Sequence, residues 1–323
     1  MKKNNILILS AGRRVELIQD FKTEAAQLSD DIKIFTTDLN PRLSSACHIA
    51  DAAFSVPPIS DDGYIDYIFE LAVAQNVGMI IPTIDTELQK LANARVRFEE
   101  AGIHIVISDP VLVTICRDKR LTAKLFDRYG IEAPEIYDRK NLSFPCFAKP
   151  YDGSRSIGTK YIHSAEDLSY ELLKDPKIIF CRYINIKDEF TEFTVDLYYD
   201  RSSRLKCAVP RERLEVRSGE VSKGATRRNN LYQLMIEKLS VLEGARGCIT
   251  AQFFCKGDTI YGIEINPRFG GGFPLTYASG GNYLGWLIQE YFYNRDIAFF
   301  DQWENNLIML RYDAKVLVHE DHR

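Results

Sequence analysis

Within the string Ile263-Glu264-Ile265-Asn266-Pro267-Arg268-Phe269-Gly270-Gly271-Gly272, a carboxylate and an amide stand two residues apart in a strand-like run. Side chains so spaced emerge on one face of a strand. Together they offer hard oxygen donors suited to Mg2+, a cation that also keeps waters and substrate phosphates. Pro267 ends the strand, Arg268 follows as a planar phosphate-pairing fork, and three glycines permit close backbone approach. Twelve residues earlier, Gln252 lies on a preceding strand-like run, beyond the turn Lys256-Gly257-Asp258. A hairpin there brings Gln252 beside Glu264. Two basic segments could meet anions. Arg13 and Arg14 follow Gly12 at the opening of a helix, where free N–H groups and the positive dipole end attract negative charge; the other reading is a structural turn with solvated arginines. Residues 211–223 carry Arg211, Arg213, Arg217 and Lys223 within thirteen positions. That density reads as an electropositive wall or as a solvated charged hairpin.

The elements that must position these residues follow from hydrophobic periodicity. Strands are expected at 5–10, 32–37, 52–56, 79–82 and 104–107, with helices from the Gly12 loop to Phe21 and at 64–75 and 87–101. Strands buried on both faces and separated by helices imply a parallel, doubly wound α/β sheet. Ligands then belong at the C-terminal strand ends, where Gly12, Asp38 and Asp85 sit. The single glycine of the first loop does not make G-x-G-x-x-G, so a dinucleotide site is not supported. After a helix at 119–129 the pattern changes to strands at 144–149, 159–163, 177–183, 192–199, 204–213, 248–256 and 259–266. Helices intervene at 165–174, 231–243 and 282–293, an α+β arrangement separate from the first domain.

Composition narrows the function classes. The 323 residues are 46% hydrophobic and 27% charged, with 41 basic and 45 acidic residues and a net charge of −4. A general nucleic-acid binder would carry a basic excess. The opening residues lack a signal-peptide core, and no apolar run is long enough to span a bilayer. Seven scattered cysteines without a C-x-x-C pair match a reducing cytosol, and five dispersed histidines argue against a zinc site.

Gly262–Gly272 resembles the metal-binding end of the ATP-grasp superfamily, especially its carbamoyl-phosphate-synthase-like and carboxylate–amine ligase branch. The resemblance implies a Rossmann-like parallel α/β pre-ATP-grasp domain at 1–112. An α+β ATP-grasp fold of two lobes follows, at 113–185 and 186–323. It implies that Glu264, Asn266 and Gln252 hold Mg2+, with Mn2+ as a substitute. Lys119 and Lys149, thirty residues apart, would reach ATP phosphates, and Lys149 with Arg268 would stabilise the transferring group. Gly153, Ser154, Ser156, Ile157 and Gly158 resemble the glycine-rich loop that folds over the triphosphate. Arg182, Tyr183 and Ile184 fall on the hinge whose backbone pairs with adenine. The family's common Gln-Glu-Tyr-Ile is here Cys-Arg-Tyr-Ile, without a glutamate at 182. Glu192 matches the ribose-hydroxyl carboxylate, with Glu189 the second choice. Arg213, Arg217 and Lys223 would form a wall facing the γ-phosphate, and Arg13, Asp85, Arg211 and Gly271 would meet substrate. The activity implied is ATP-dependent ligation of a small-molecule carboxylate to an amine through an acyl-phosphate, in the cytoplasm, without nucleic acid or membrane. A homodimer is compatible. The alternatives are a bicarbonate-activating synthase or carboxylase and a non-catalytic ATP-binding protein.

Overall fold

Consecutive apolar residues need a sheet covered on both faces, and Asn5–Ile8 (β1) meets that need: Ile6, Leu7 and Ile8 are fully buried. The computed structural model describes residues 3–29, 31–153, 157–185, 190–217 and 219–319. Val15–Leu28 (α1) comes next, then Ile34–Asp38 (β2), Ala52–Ser55 (β3), Tyr64–Ala74 (α2), Val77–Ile81 (β4), Leu88–Glu100 (α3) and His104–Ile105 (β5). These strands form a parallel sheet in the order β3-β2-β1-β4-β5. Connections from β1 and β4 therefore leave in opposite directions, and a crevice opens at their C-terminal ends. Gly12, in the loop after β1, has φ 53°, a left-handed conformation, and donates its N–H to Asp38 Oδ2 at 3.0 Å.

Pro110–Arg117 (α4) and Lys119–Arg128 (α5) lead out of this sheet. The periodicity reading does not mark α4, because eight residues make only about two turns, shorter than the window that reveals a helical stripe. Ile136–Tyr137 (β6), Cys146–Pro150 (β7), Lys160–Ile162 (β8), Tyr170–Lys174 (α6) and Ile178–Arg182 (β9) follow. Their strands make an antiparallel sheet ordered β6-β9-β7-β8 around a separate small core of Cys146, Ala148, Ile162, Ile178 and Phe180.

The remaining elements are Thr191–Tyr199 (β10), Leu205–Arg217 (β11), Glu220–Thr226 (β12), Asn230–Lys238 (α7), Gly247–Lys256 (β13), Thr259–Asn266 (β14), Phe273–Ala278 (α8), Tyr283–Tyr293 (α9) and Ile308–Leu310 (β15). The large sheet runs β14-β13-β10-β11-β12-β15, antiparallel throughout. β11 outruns its expected end at Arg213, and β12 and β15 are additional strands. Charged residues at 211–223 hide the alternation, and β15 pairs with β12 from across a long sequence separation. One apolar cluster joins Val195, Ile249, Ala251 and Phe253 of this sheet to Ile6 and Ile8 of the first and to Phe21 of α1. Phe21 and Phe269 meet edge to face at 6.1 Å across that junction. The two large sheets are thus fixed on a common core, whereas the four-stranded sheet stands on its own. Among the described residues no helix is long and apolar enough to cross a membrane.

Candidate active site

The β13–β14 hairpin forms around Gly257, whose φ of 58° the tight turn requires. Its register sets Gln252 opposite Glu264 and Thr250 opposite Asn266. Asn266 donates its amide N–H to Glu264 Oε1 at 3.0 Å, and the other carboxylate oxygen lies 3.4 Å from Lys119 Nζ. Lys119 opens α5 behind the N-cap Asp118, which accepts from the Arg120 N–H. Lys119 is tied to the small lobe twice: its backbone N–H donates to the Tyr151 carbonyl at 2.9 Å and its ammonium to the Gly153 carbonyl at 2.5 Å. Burial, with Lys119 adding, pushes the Lys149 ammonium below the ordinary lysine range, while Cys181 and Glu264 oppose the shift. Glu192 is the second carboxylate of this cleft. Burial raises its pKa, Arg213 at 3.5 Å opposes and nearby Glu264 adds to the rise. A cavity of about 230 Å³ opens here between Lys119, Gly153, Glu264 and Asn266 and an inner wall of Leu88, Val113 and Cys116.

At the hinge, the Arg182 N–H is already donated to the Glu135 carbonyl at 2.8 Å. That Arg182 donor is consumed in the small lobe's own hydrogen bonding and is not free for a base edge. Its exposed guanidinium stands 3.4 Å from Tyr261 Oη. Tyr183 packs on Tyr161, ring centroids 4.6 Å apart, and Ile184 is buried. In the glycine-rich loop, Ile157 is exposed and Gly158 has φ 74°. Ser154, Ser156 and Glu189 lie outside the described residues.

A third group sits at the crevice beyond β1 and β4. Arg268, just past the end of β14, grips Asp85 with two bonds of 2.9 and 2.8 Å. Glu87 holds that loop in shape, accepting from the Thr83 and Ile84 N–H groups, Ser10 Oγ and Tyr64 Oη while fully buried. Sequence reasoning missed Glu87, for its partners come from three separate segments. The two arginines of the first loop have different surroundings. The Arg13 side chain is 71% exposed and pairs with Glu220 at 2.9 Å. Arg14 instead turns inward, donating to the Thr83 carbonyl at 3.0 Å beside Arg268.

The basic segment divides. Arg211 is a correction: its side chain is 2% exposed and forks onto the fully buried Asp196, so it is closed to substrate. Asp196 also accepts from Thr250 and Thr276. The glycines of 270–272 serve this network, since a Cβ at Gly270 would press on Thr250 and one at Gly272 would overlap the Arg211 guanidinium. A Cβ at Gly271 would come within 3.3 Å of the Glu220 carboxyl carbon, so a side chain there would press on Glu220. Arg213 points into the cleft, 9% exposed, its Nε without a hydrogen bond. On either side of Glu215 the β11–β12 register slips, and such bulges re-aim side chains. Arg217 pairs with Asp313, and Lys223 with Glu215 at 2.7 Å, both largely in solvent. Both belong to the β11–β12 hairpin, their charges met by those carboxylates.

Comparison with known proteins gives two family matches. Residues 6–106 match the PylC-like N-terminal domain, and residues 187–307 match "ATP-grasp in the biosynthetic pathway with Ter operon". The chain is similar to a formate-dependent phosphoribosylglycinamide formyltransferase of Thermococcus kodakarensis, 22% identical over 81% of this chain and 64% of that one. It is also similar to a carbamoyl phosphate synthase large chain of Vibrio cholerae, 21% identical over 78% of this chain and 25% of that one. It thus spans under two thirds of the first relative and a quarter of the second. Among solved structures, a Campylobacter jejuni biotin carboxylase in complex with β-γ-ATP superposes with TM-score 0.75 at 15% identity, covering 94% of this chain and 74% of that one. An L-amino acid ligase of Bacillus licheniformis gives 0.67 at 17%, covering 90% and 74%. At these identities the structural likeness establishes a shared fold.

Proposed function

We propose that the chain, whose residues 187–307 match an ATP-grasp family model, is an ATP-dependent ligase of that superfamily. It activates a small-molecule carboxylate as an acyl-phosphate and passes the acyl group to an amine, releasing ADP and phosphate. The observation that carries the reading is the convergence of Lys119, Lys149, Glu264 and Asn266 from three elements on one cleft. Carboxylate and γ-phosphate repel each other, so catalysis is charge neutralisation plus alignment. Lys119 and Lys149 bind phosphate oxygens, Glu192 accepts from ribose hydroxyls, and Arg268, held in orientation by Asp85, faces the reacting groups. Arg213, deep and short of a hydrogen bond at Nε, adds positive charge on the Glu192 side.

The donor set suits a hard divalent cation. Among the described residues no three His, Cys, Asp or Glu side chains cluster for a metal. What the chain offers is one carboxylate flanked by amide oxygens, suited to Mg2+ that keeps phosphate and water ligands. Glu264, Asn266 and Gln252 would hold Mg2+, or Mn2+ in its place, and the ion supplies further neutralisation at the phosphates. The small lobe, on its separate core, closes to keep water from the acyl-phosphate. All seven cysteines are free thiols, which supports a reducing, cytoplasmic setting. The exposed apolar edge at Ile308 and Leu310 supports a homodimer.

The test is ADP release from Mg-ATP with hydroxylamine as a general amine and a panel of amino acids, sugar acids and simple carboxylates. Acid-dependent ADP together with a hydroxamate product is expected. ADP release with no acid dependence sinks the reading, and dependence on bicarbonate alone replaces it with carboxyphosphate chemistry.

A further inference from the structure

Arg14 is a cation without an anionic partner in a place that strongly charged groups surround. Its neighbours are all matched. Arg268 forks onto Asp85, Arg13 pairs with Glu220, and Arg311 lies 3.0 Å from Glu16 and 3.8 Å from Glu220. The Glu87 carboxyl is turned to Ser10, Tyr64 and the Thr83–Ile84 backbone. Among the described residues, Arg14 has no carboxylate within ion-pair distance. Its guanidinium donates to the neutral Thr83 carbonyl, two residues from the Asp85 that Arg268 grips. Both guanidiniums therefore hold one short loop from two sides. Burial and the like charge of Arg268 push the Arg14 pKa down to about 10, with Glu220, Asp85 and Glu87 opposing. Desolvating a charge beside another of its sign is unfavourable unless an anion joins them.

The position is independent of this charge count. Arg14 ends the loop after β1 and Asp85 lies in the loop after β4, the two strands between which the sheet order reverses. Ligands of open α/β sheets settle in that crevice. Arg14 is also the N-cap of the fourteen-residue α1, which has no side-chain cap, so first-turn N–H groups face the same space.

We propose that Arg14 is the specificity residue of the acceptor site, and that the acid this chain activates carries a second anionic group, a carboxylate or a phosphate, held by Arg14 in the crevice between β1 and β4. The inference rests on the ligase reading for the word acceptor, but the anion site can be tested without turnover. Arg268 and the two lysines serve the reacting carboxylate and the triphosphate, and Arg14 grips the far end of the acid. A monoacid leaves the Arg14 charge uncompensated, so the site discriminates by a missing partner.

The experiment is calorimetric binding, with Mg-ADP present, of α,ω-dicarboxylates from malonate to adipate, of phosphoglycolate, and of monocarboxylates of matched length. Wild type, Arg14→Gln and Arg14→Lys are compared, with thermal melts of each. A charge-assisted hydrogen bond is worth roughly ten- to hundredfold in affinity, so at least one diacid or the phosphoacid should exceed its monoacid match by about that factor. Arg14→Gln should abolish the preference and Arg14→Lys keep part of it. The arm that wins separates carboxylate from phosphate. Arg14→Gln should melt at or above wild type, because it removes the repulsion with Arg268. No preference in wild type, a preference surviving Arg14→Gln, or a marked fall in melting temperature each overturns the proposal. Selective diacid binding without ADP release would retain the Arg14 site and discard the ligase reading. ADP release indifferent to a second charge would do the reverse.

Discussion

Replacing Arg211 by methionine tests whether the basic segment is a substrate wall or part of the core. The Arg211 and Asp196 side chains are 2% and 0% exposed, and the carboxylate accepts four hydrogen bonds, two of them from the guanidinium. Arg211→Met keeps most of the volume and strands the Asp196 charge. Breaking a buried pair from one side costs about 3–5 kcal/mol. For a chain of this size that is a fall on the order of 5–15 °C in melting temperature. The second variant, Arg211→Met with Asp196→Asn, removes both charges while leaving an amide oxygen to accept from one of the Thr250 and Thr276 hydroxyls and an NH2 to donate to the other. It should recover half or more of the loss, since a neutral replacement of a buried pair is often tolerated. The assay is a thermal melt of the three proteins followed by steady-state kinetics at a temperature where all are folded. There the KM for ATP and for the acid should move by less than about threefold, a structural rather than a transition-state signature. An Arg211→Met protein that melts like wild type and shows an acid KM raised tenfold or more would refute the reasoning.

Three further outcomes follow from the geometry. The pair Glu264→Ala and Asn266→Ala should lower ADP formation by about a thousandfold or more, with a melt close to wild type, since both groups line a cleft; retained ADP formation removes them from the metal site. Because burial holds the Lys149 pKa below the usual lysine range, its charge is lost as pH rises through that depressed value. ADP affinity by titration should therefore fall at a lower alkaline pH than an ordinary lysine would give, and Lys149→Arg should abolish that fall; an unchanged profile in Lys149→Arg refutes the assignment. Burial, Glu16 and Glu24 raise the Asp20 carboxyl to about 7, so the native state holds its proton more tightly than the unfolded chain. Stability is full below the ordinary carboxylate range and declines as pH climbs to about 7. Asp20→Asn should accordingly raise the melting temperature above pH 7 and give no gain near pH 4. A gain equal at both pH values would show that the charge is not the cause.

Local order made some of the site legible in the residues alone. Glu264 and Asn266 share a face because they alternate on one strand, and the hairpin was legible from its Gly257-Asp258 turn, but Gln252 meets Glu264 only because the register shifts by one residue between Gln252 and Phe253, which the turn does not dictate. The parallel sheet was legible from β1 and β4, whose apolar runs suit a sheet covered on both sides. Lys119 was placed by the family resemblance, and Asp118 caps the helix it opens. Side chains whose partners lie far along the chain were not legible. Residue type and spacing are the same for Arg13 and Arg14, yet the loop turns the first to Glu220 and the second to Thr83. Asp85 and Arg268 are brought together by the packing of two separate sheets on a common core. Arg211, Arg213 and Arg217 look like one basic stripe. The neighbouring strand supplies Asp196 to the first and Glu192 to the second, and a register slip turns the third to Asp313. Periodicity along the chain determined which elements form and which residues share a face. Tertiary structure alone decided which charges are compensated, because a counter-charge acts through space over a few ångströms, at whatever distance in sequence it arises.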